Sequence, residues 1–150
     1  MLLQISTKDS LQRAAGYCHD AIFDTDRMKY DKDGRIFSLE LTREAWEKAE
    51  REKRVLFIQR WKVPKVNSVL TLYDVIEAEI HVSDVQDILV DIGFDTQEKL
   101  IRFECALGTK IHLKVEDLRG ILEDTSKEYF DGTKFTTFIS LRRRRMQPQS

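Results

Sequence analysis

No apolar run in this sequence is longer than four residues, and Val55-Leu56-Phe57-Ile58 is one of the longest. A helix that crosses a bilayer needs about 20, so no spanning helix is expected. Residues Met1–Asp9 lack both the basic start and the apolar stretch of a secretory signal. Only two cysteines occur, too few for a disulfide framework. No Cys–Cys or His–His pair has ligand spacing, no glycine-rich phosphate loop occurs and no G-x-S-x-G is present. No segment repeats at a fixed period. These absences argue against a membrane-spanning protein, a disulfide scaffold, a solenoid and the common motif-bearing enzymes.

The composition is that of an ordinary globular domain. Hydrophobic residues make up 41% of 150 residues, and charged residues 34% with a net charge of −1. A near-balanced composition of this kind is not disordered, and the length suits one domain that buries roughly 70% of its unfolded surface. The balance conceals an asymmetry. Arg142, Arg143, Arg144 and Arg145 form a basic tip on a body with 21 basic and 26 acidic residues. The organisation read from this is a single β-rich domain over 1–125, a further turn and strand over 126–141 and a fraying basic tail over 142–150.

Thr7 is placed to cap a short helix over 7–16, with Leu11, Ala14 and Ala15 at helical spacing and Gly16 as its stop. From residue 22 the period changes to two. Asp33-Gly34 marks a hairpin between strands near 22–30 and 35–42. Residues 43–53 are rich in helix formers but carry only Ala45, Trp46 and Ala49 as an apolar stripe, which predicts a surface excursion anchored by Trp46. Alternation returns around Val55–Val63, Leu70–Val82, Ile88–Phe94, Ile101–Leu107 and Ile111–Val115, with short polar connectors. Short connections imply antiparallel pairing. Leu118, Ile121 and Leu122 lie at i, i+3, i+4 and predict a helix over 116–124. Phe135, Thr137, Ile139 and Leu141 predict a last strand. The expected fold is therefore α+β: a mainly antiparallel, curved sheet or half-barrel meander of about seven strands, with one helix before it and one after. This is also the element order of the pleckstrin-homology architecture.

Each chemical motif has a plainer structural reading. Cys18-His19-Asp20 are adjacent, so their side chains do not converge as a triad. Gly34 at position 6 of a calcium loop would put Asp31 at 3, Asp33 at 5, Ile36 at 8 and Glu40 at 12, but Lys29 then occupies position 1, where an oxygen ligand is required. No metal and no cofactor are expected. Glu77, Glu79, His81, Arg102, Glu104 and His112 have the parity to share one exposed sheet face, a cluster that can bind a metal or move protons. Its plainer reading is a solvated face with cross-strand charge pairs. Arg142–Arg145 supply at most about four phosphate contacts, a weak and salt-sensitive grip. With no aromatic residue interleaved, nucleic-acid binding is not the favoured reading. Trp46 and Trp61 read as packing anchors.

The helix leading into His19-Asp20-Ala21, then Tyr30-Asp31, Arg35-Ile36-Phe37-Ser38-Leu39, Arg43-Glu44-Ala45-Trp46-Glu47, Val115-Glu116 and Leu122-Glu123-Asp124 together resemble a family of small uncharacterised bacterial proteins, a domain of unknown function. The resemblance covers roughly residues 7–125. It implies a compact bacterial cytoplasmic domain and carries over no activity or site. The favoured reading is a non-catalytic interaction or ligand-binding domain. The alternatives are a small metal-dependent or acid–base enzyme using the His81/His112 face and a nucleic-acid contact through Arg142–Arg145. The partner is a protein or a small ligand, not a membrane, and residues 133–141 are expected to build a homodimer by strand exchange.

Overall fold

The computed structural model describes residues 1–56, 58–130 and 134–137. Arg142–Arg145 and residues 138–141 of the expected last strand lie outside them. The elements in chain order are β1 (Leu2–Ile5), α1 (Lys8–Tyr17), β2 (Ala21–Asp24), β3 (Met28–Asp31), β4 (Ile36–Glu44), β5 (Glu50–Val55), β6 (Ile58–Lys62), β7 (Pro64–Leu72), β8 (Val75–His81), β9 (Gln86–Asp95), β10 (Leu100–Cys105), β11 (Lys110–Val115), β12 (Gly120–Asp124), β13 (Tyr129–Phe130) and β14 (Lys134–Thr137). The fold is α+β, with one α-helix among the described residues and more strands than seven.

Nine strands run in the order β1-β12-β7-β4-β2-β9-β10-β11-β8, with β3 added on β4 and β13 on β7. All pairings are antiparallel. β4 is the hinge of this sheet. One of its edges pairs with β7 from Phe37 to Glu44, while the other pairs with β3 through Ile36–Leu39 and with β2 at Thr42. Register irregularities at Glu104/Cys105 and Lys114/Val115 add curvature. The sheet bends far enough for Phe37 of β4 to meet Phe103 of β10 edge to face, with ring centroids 5.7 Å apart. α1 lies across β9 and β1, burying Leu11, Ala14 and Ala15.

Thr7 caps α1: its side chain accepts the Ser10 N–H and the Ser10 hydroxyl accepts the Thr7 N–H, a capping box. The helix runs through Gly16 to Tyr17. Asp20 absorbs the reversal at φ 65°.

Five expectations are corrected. The strand near 22–30 is broken by a 3-10 turn over Thr25–Arg27 into β2 and β3, and the run Val55–Val63 is broken at Leu56 into β5 and β6. The run over 70–82 is two strands, because Tyr73-Asp74 turns the chain and Asp74 takes a left-handed φ of 56°. Residues 43–53 are not a helical excursion. β4 continues to Glu44, a short 3-10 turn spans Trp46–Lys48, and β5 follows. The expected helix over 116–124 is instead strand β12, so the sheet ends differently from the pleckstrin-homology order and the covering helix is α1 alone.

Gly120 explains the last correction. A Cβ at this position would lie 2.6 Å from the Thr71 carbonyl oxygen and 2.7 Å from Leu72 Cδ2. Glycine is what lets β12 seat against β7, with Gly120 opposite Leu72. Gly120→Val is expected to cost about 1–3 kcal/mol by overpacking, read as a lower urea midpoint. A wild-type midpoint would show that β12 does not approach β7 this closely.

Candidate functional site

The predicted polar face assembles. The register sets Arg102 of β10 opposite His112 of β11, and His112 opposite Glu79 of β8. Glu104 faces Lys110, Lys110 faces His81, and Lys114 faces Glu77. A shallow depression of about 450 Å³ over β9–β11 is lined by Arg102, Glu104, Lys110 and His112. The face is solvated, however. His81 Nε2 lies 3.1 Å from Glu79 Oε1 with both side chains at least 60% exposed. Arg102 reaches Glu98 at 3.4 Å. The His81 hydrogen bond holds the Glu79 carboxyl below its usual range, the opposite of what a proton-donating carboxyl needs. Among the described residues no group of three or more His, Cys, Asp or Glu side chains has the arrangement of a metal site.

His19 lies elsewhere, on the rim of a groove of about 560 Å³ between α1 and β9. Its Nδ1 is 2.9 Å from the Val90 carbonyl, which can only accept, so Nδ1 donates. That bond ties the α1–β2 connection to β9. The groove floor includes Leu11, Ala15 and Ile92, which are 1%, 5% and 1% exposed. Cys18 is fully buried and Cys105 half-buried. Burial pushes both thiols up to about 12, far from a thiolate nucleophile at neutral pH. The calcium-like loop is a tight turn, in which Asp31 Oδ1 accepts the N–H groups of Asp33 and Gly34 and β4 begins at Ile36.

The largest fully buried side chain among the described residues is a polar one that sequence reasoning did not single out. Arg43 has 0% exposure. Its guanidinium donates to both oxygens of Asp124, to Ser68 Oγ and to Glu47 Oε1 at 2.7–3.2 Å, and it stacks over Tyr17. The N-terminal ammonium of Met1 also reaches Asp124 at 3.1 Å. This cluster joins β1, β4, β7 and β12. Because Glu47 sits in the turn that follows β4, it also fixes the root of what comes next.

Beyond Glu44 and Lys65, the last pair of β4 and β7, the chain leaves the main sheet as an arm. β5 and β6 form a hairpin, and β14 adds to β6 to make a separate three-stranded sheet. The expected last strand thus pairs within its own chain over 134–137. The root is held by Trp46 against Trp61, edge to face at 6.0 Å, by the Lys48–Glu128 ion pair and by Lys62 over the Phe130 ring at 4.2 Å. The irregularity between Arg51 and Arg54 is filled by the Gln59 amide, which donates to the Glu52 and Arg60 carbonyls.

The far end of the arm presents apolar side chains. Leu56 is 82% exposed and Ile58 47%. Leu56 also adopts a left-handed φ of 53°, which costs an L-residue roughly 1–2 kcal/mol. Residues 50–65 carry six basic and two acidic side chains, and 142–145 four basic and none acidic. The rest of the chain has nine more acidic than basic residues. The arm is a cationic projection with an apolar end on an acidic body. Its signal was visible in the sequence as Arg51, Lys53 and Arg54 before the four-residue apolar run and Arg60 and Lys62 after it.

An open antiparallel α+β domain with a projecting hairpin, and no metal cluster among its described residues, defines the class. The chain belongs to the family described as "Protein of unknown function (DUF2948)", whose model matches residues 2–136. The match includes the β5–β6 arm and residues 134–136 of β14. No curated protein and no solved structure matches the chain.

Proposed function

We propose that this is a non-catalytic interaction domain that docks on polyanionic surfaces through the β5–β6 arm. The observation that carries this reading is the exposed Leu56, held in a strained backbone at the end of the one strongly cationic hairpin among the described residues. The two-residue turn between Val55 and Ile58 needs a left-handed backbone that glycine or asparagine supplies at less cost, and a bulky exposed leucine kept there marks a contact site. The long hairpin of cations supplies the attraction. The solvated His81/His112 face and the two high-pKa thiols leave the enzyme alternative without convergent groups.

The test is retention on immobilised heparin, a generic polyanion. Replacing Arg51, Arg54, Arg60 and Lys62 with Ser should bring elution to a much lower salt concentration. Replacing Arg102, Lys110 and Lys114 of the sheet face should leave it nearly unchanged. Equal loss from the two sets would reduce the effect to net charge and overturn the reading.

A further inference from the structure

The polyanion has a definite chemistry, and this step rests on the docking reading above. We propose that the arm engages an anionic lipid surface, with the Leu56 end entering the interface and the flanking cations gripping headgroups.

Four observations converge on lipid. First, the end of the arm is apolar. The sequence there is Arg54-Val55-Leu56-Phe57-Ile58-Gln59-Arg60, a short apolar run with an arginine on each side. A four-residue run cannot cross a bilayer but is long enough to enter its interface at the end of a hairpin. Second, the exposed Arg54 and Arg60, the latter paired with Glu52 at 3.0 Å, flank that end and are placed to meet phosphate groups as the apolar residues enter.

Third, the arginine tip is tethered to the same place. β14 runs antiparallel to β6 with Lys134 opposite Trp61 at the root and Thr137 opposite Ile58 at the far end. Arg142 follows Thr137 by five residues, so chain length alone keeps it within about 18 Å of the end of β14. The sequence thus carries four further positive charges within chain reach of the apolar end. Single basic residues bind anionic membranes weakly, and clusters of this size bind well.

Fourth, the aromatic rings described at the root of the arm are engaged within the protein. Arg51 lies 5.5 Å over the Trp61 ring, Trp46 abuts Trp61, and Lys62 covers Phe130. Base stacking, which nucleic-acid grooves rely on, needs open aromatic faces. An apolar end flanked by arginines suits a lipid interface.

The test uses the full chain with vesicles of phosphatidylcholine containing phosphatidylglycerol, vesicles of phosphatidylcholine alone, and duplex DNA. The protein should sediment with the anionic vesicles and not with the neutral ones. Leu56→Asp should weaken that binding about tenfold or more, because an exposed leucine no longer enters an apolar phase. Leu56→Ser should weaken it in the same direction. Leu56→Trp should show blue-shifted emission, relative to wild type, when anionic vesicles are added. Tighter binding to DNA than to vesicles, or vesicle binding that Leu56→Asp leaves unchanged, would overturn the lipid assignment. Heparin retention without vesicle binding overturns lipid alone, whereas loss of both overturns the docking reading as well.

Discussion

Arg43→Met lowers the stability of the domain by about 3–5 kcal/mol, the usual cost of removing one member of a buried ion pair. Arg43 has no exposed surface, and four acceptor oxygens on Asp124, Ser68 and Glu47 point at its guanidinium. Methionine fills much of the volume but leaves the Asp124 carboxylate, 7% exposed, without its main cation. A total stability of about 5–15 kcal/mol is typical of a domain, so the variant should unfold at a far lower urea concentration. Adding Asp124→Leu should restore part of the loss, since two apolar residues leave no orphaned charge. A single variant within 1 kcal/mol of wild type would show that the cluster is not buried as described.

The same cluster gives a pH dependence. Burial opposes ionisation of Asp124, but hydrogen bonds from Arg43 and Ser68 outweigh it and hold the carboxyl below its ordinary range. A depressed folded-state pKa contributes stability that is fully present above the unfolded value of about 3.9 and is lost as pH falls toward the folded one. Stability should therefore decline below about pH 4, with a shallower slope in Arg43→Met. Some slope remains in that variant, because Asp87 is also held low: backbone N–H groups of Leu107, Thr109 and Ile88, with the Thr109 side chain, outweigh its burial.

Ile92→Asp abolishes cooperative folding. Ile92 is 1% exposed on β9, opposite Phe103 of β10, so the substitution loses apolar contact and buries a charge. The adjacent position is the control. A Cβ at Gly93 meets nothing within 4 Å, so Gly93→Ser should be neutral or slightly stabilising. A normal melting transition in Ile92→Asp would put the face assignment of β9 in error.

Much of the sheet was legible because its strands obey period two and end in recognisable turns. β10 and β11 follow their alternation, and Gly108 between them takes the positive φ of 97° that the turn requires. β9 is less simple. Leu89 and Asp87 are buried in its first half and Ile92 in its second, since the irregularity at Glu104/Cys105 shifts the register between them. Strict alternation from Ile88 to Phe94 does not describe it. β12 looked helical because Leu118, Ile121 and Leu122 satisfy helical spacing, and the reason for Gly120 exists only once β7 lies beside it.

The site was less legible than the fold. Arg43 and Asp124 are 81 positions apart, and no local pattern links them. Residues 43–53 carry helix formers, yet strand pairing overrides that weak preference. The polar face was foreseen because it needs only parity and sequential hairpins. The arm was not legible because Val55–Val63 reads as one alternating strand, which hides the turn at Leu56 between β5 and β6. Its meaning depends on the cations around it and on β14 returning to the same place.

The account turns on the claim that Leu56 serves contact and not the fold, and the urea midpoint of Leu56→Gly tests it most directly. Glycine adopts the φ of 53° without steric cost, and an 82% exposed side chain gives up little packing. The midpoint should equal or exceed that of wild type even as the variant loses its hold on anionic vesicles. A midpoint lowered by the equivalent of 1 kcal/mol or more, the scale of a lost packing contact, would place Leu56 in the structure of the fold and contradict the account.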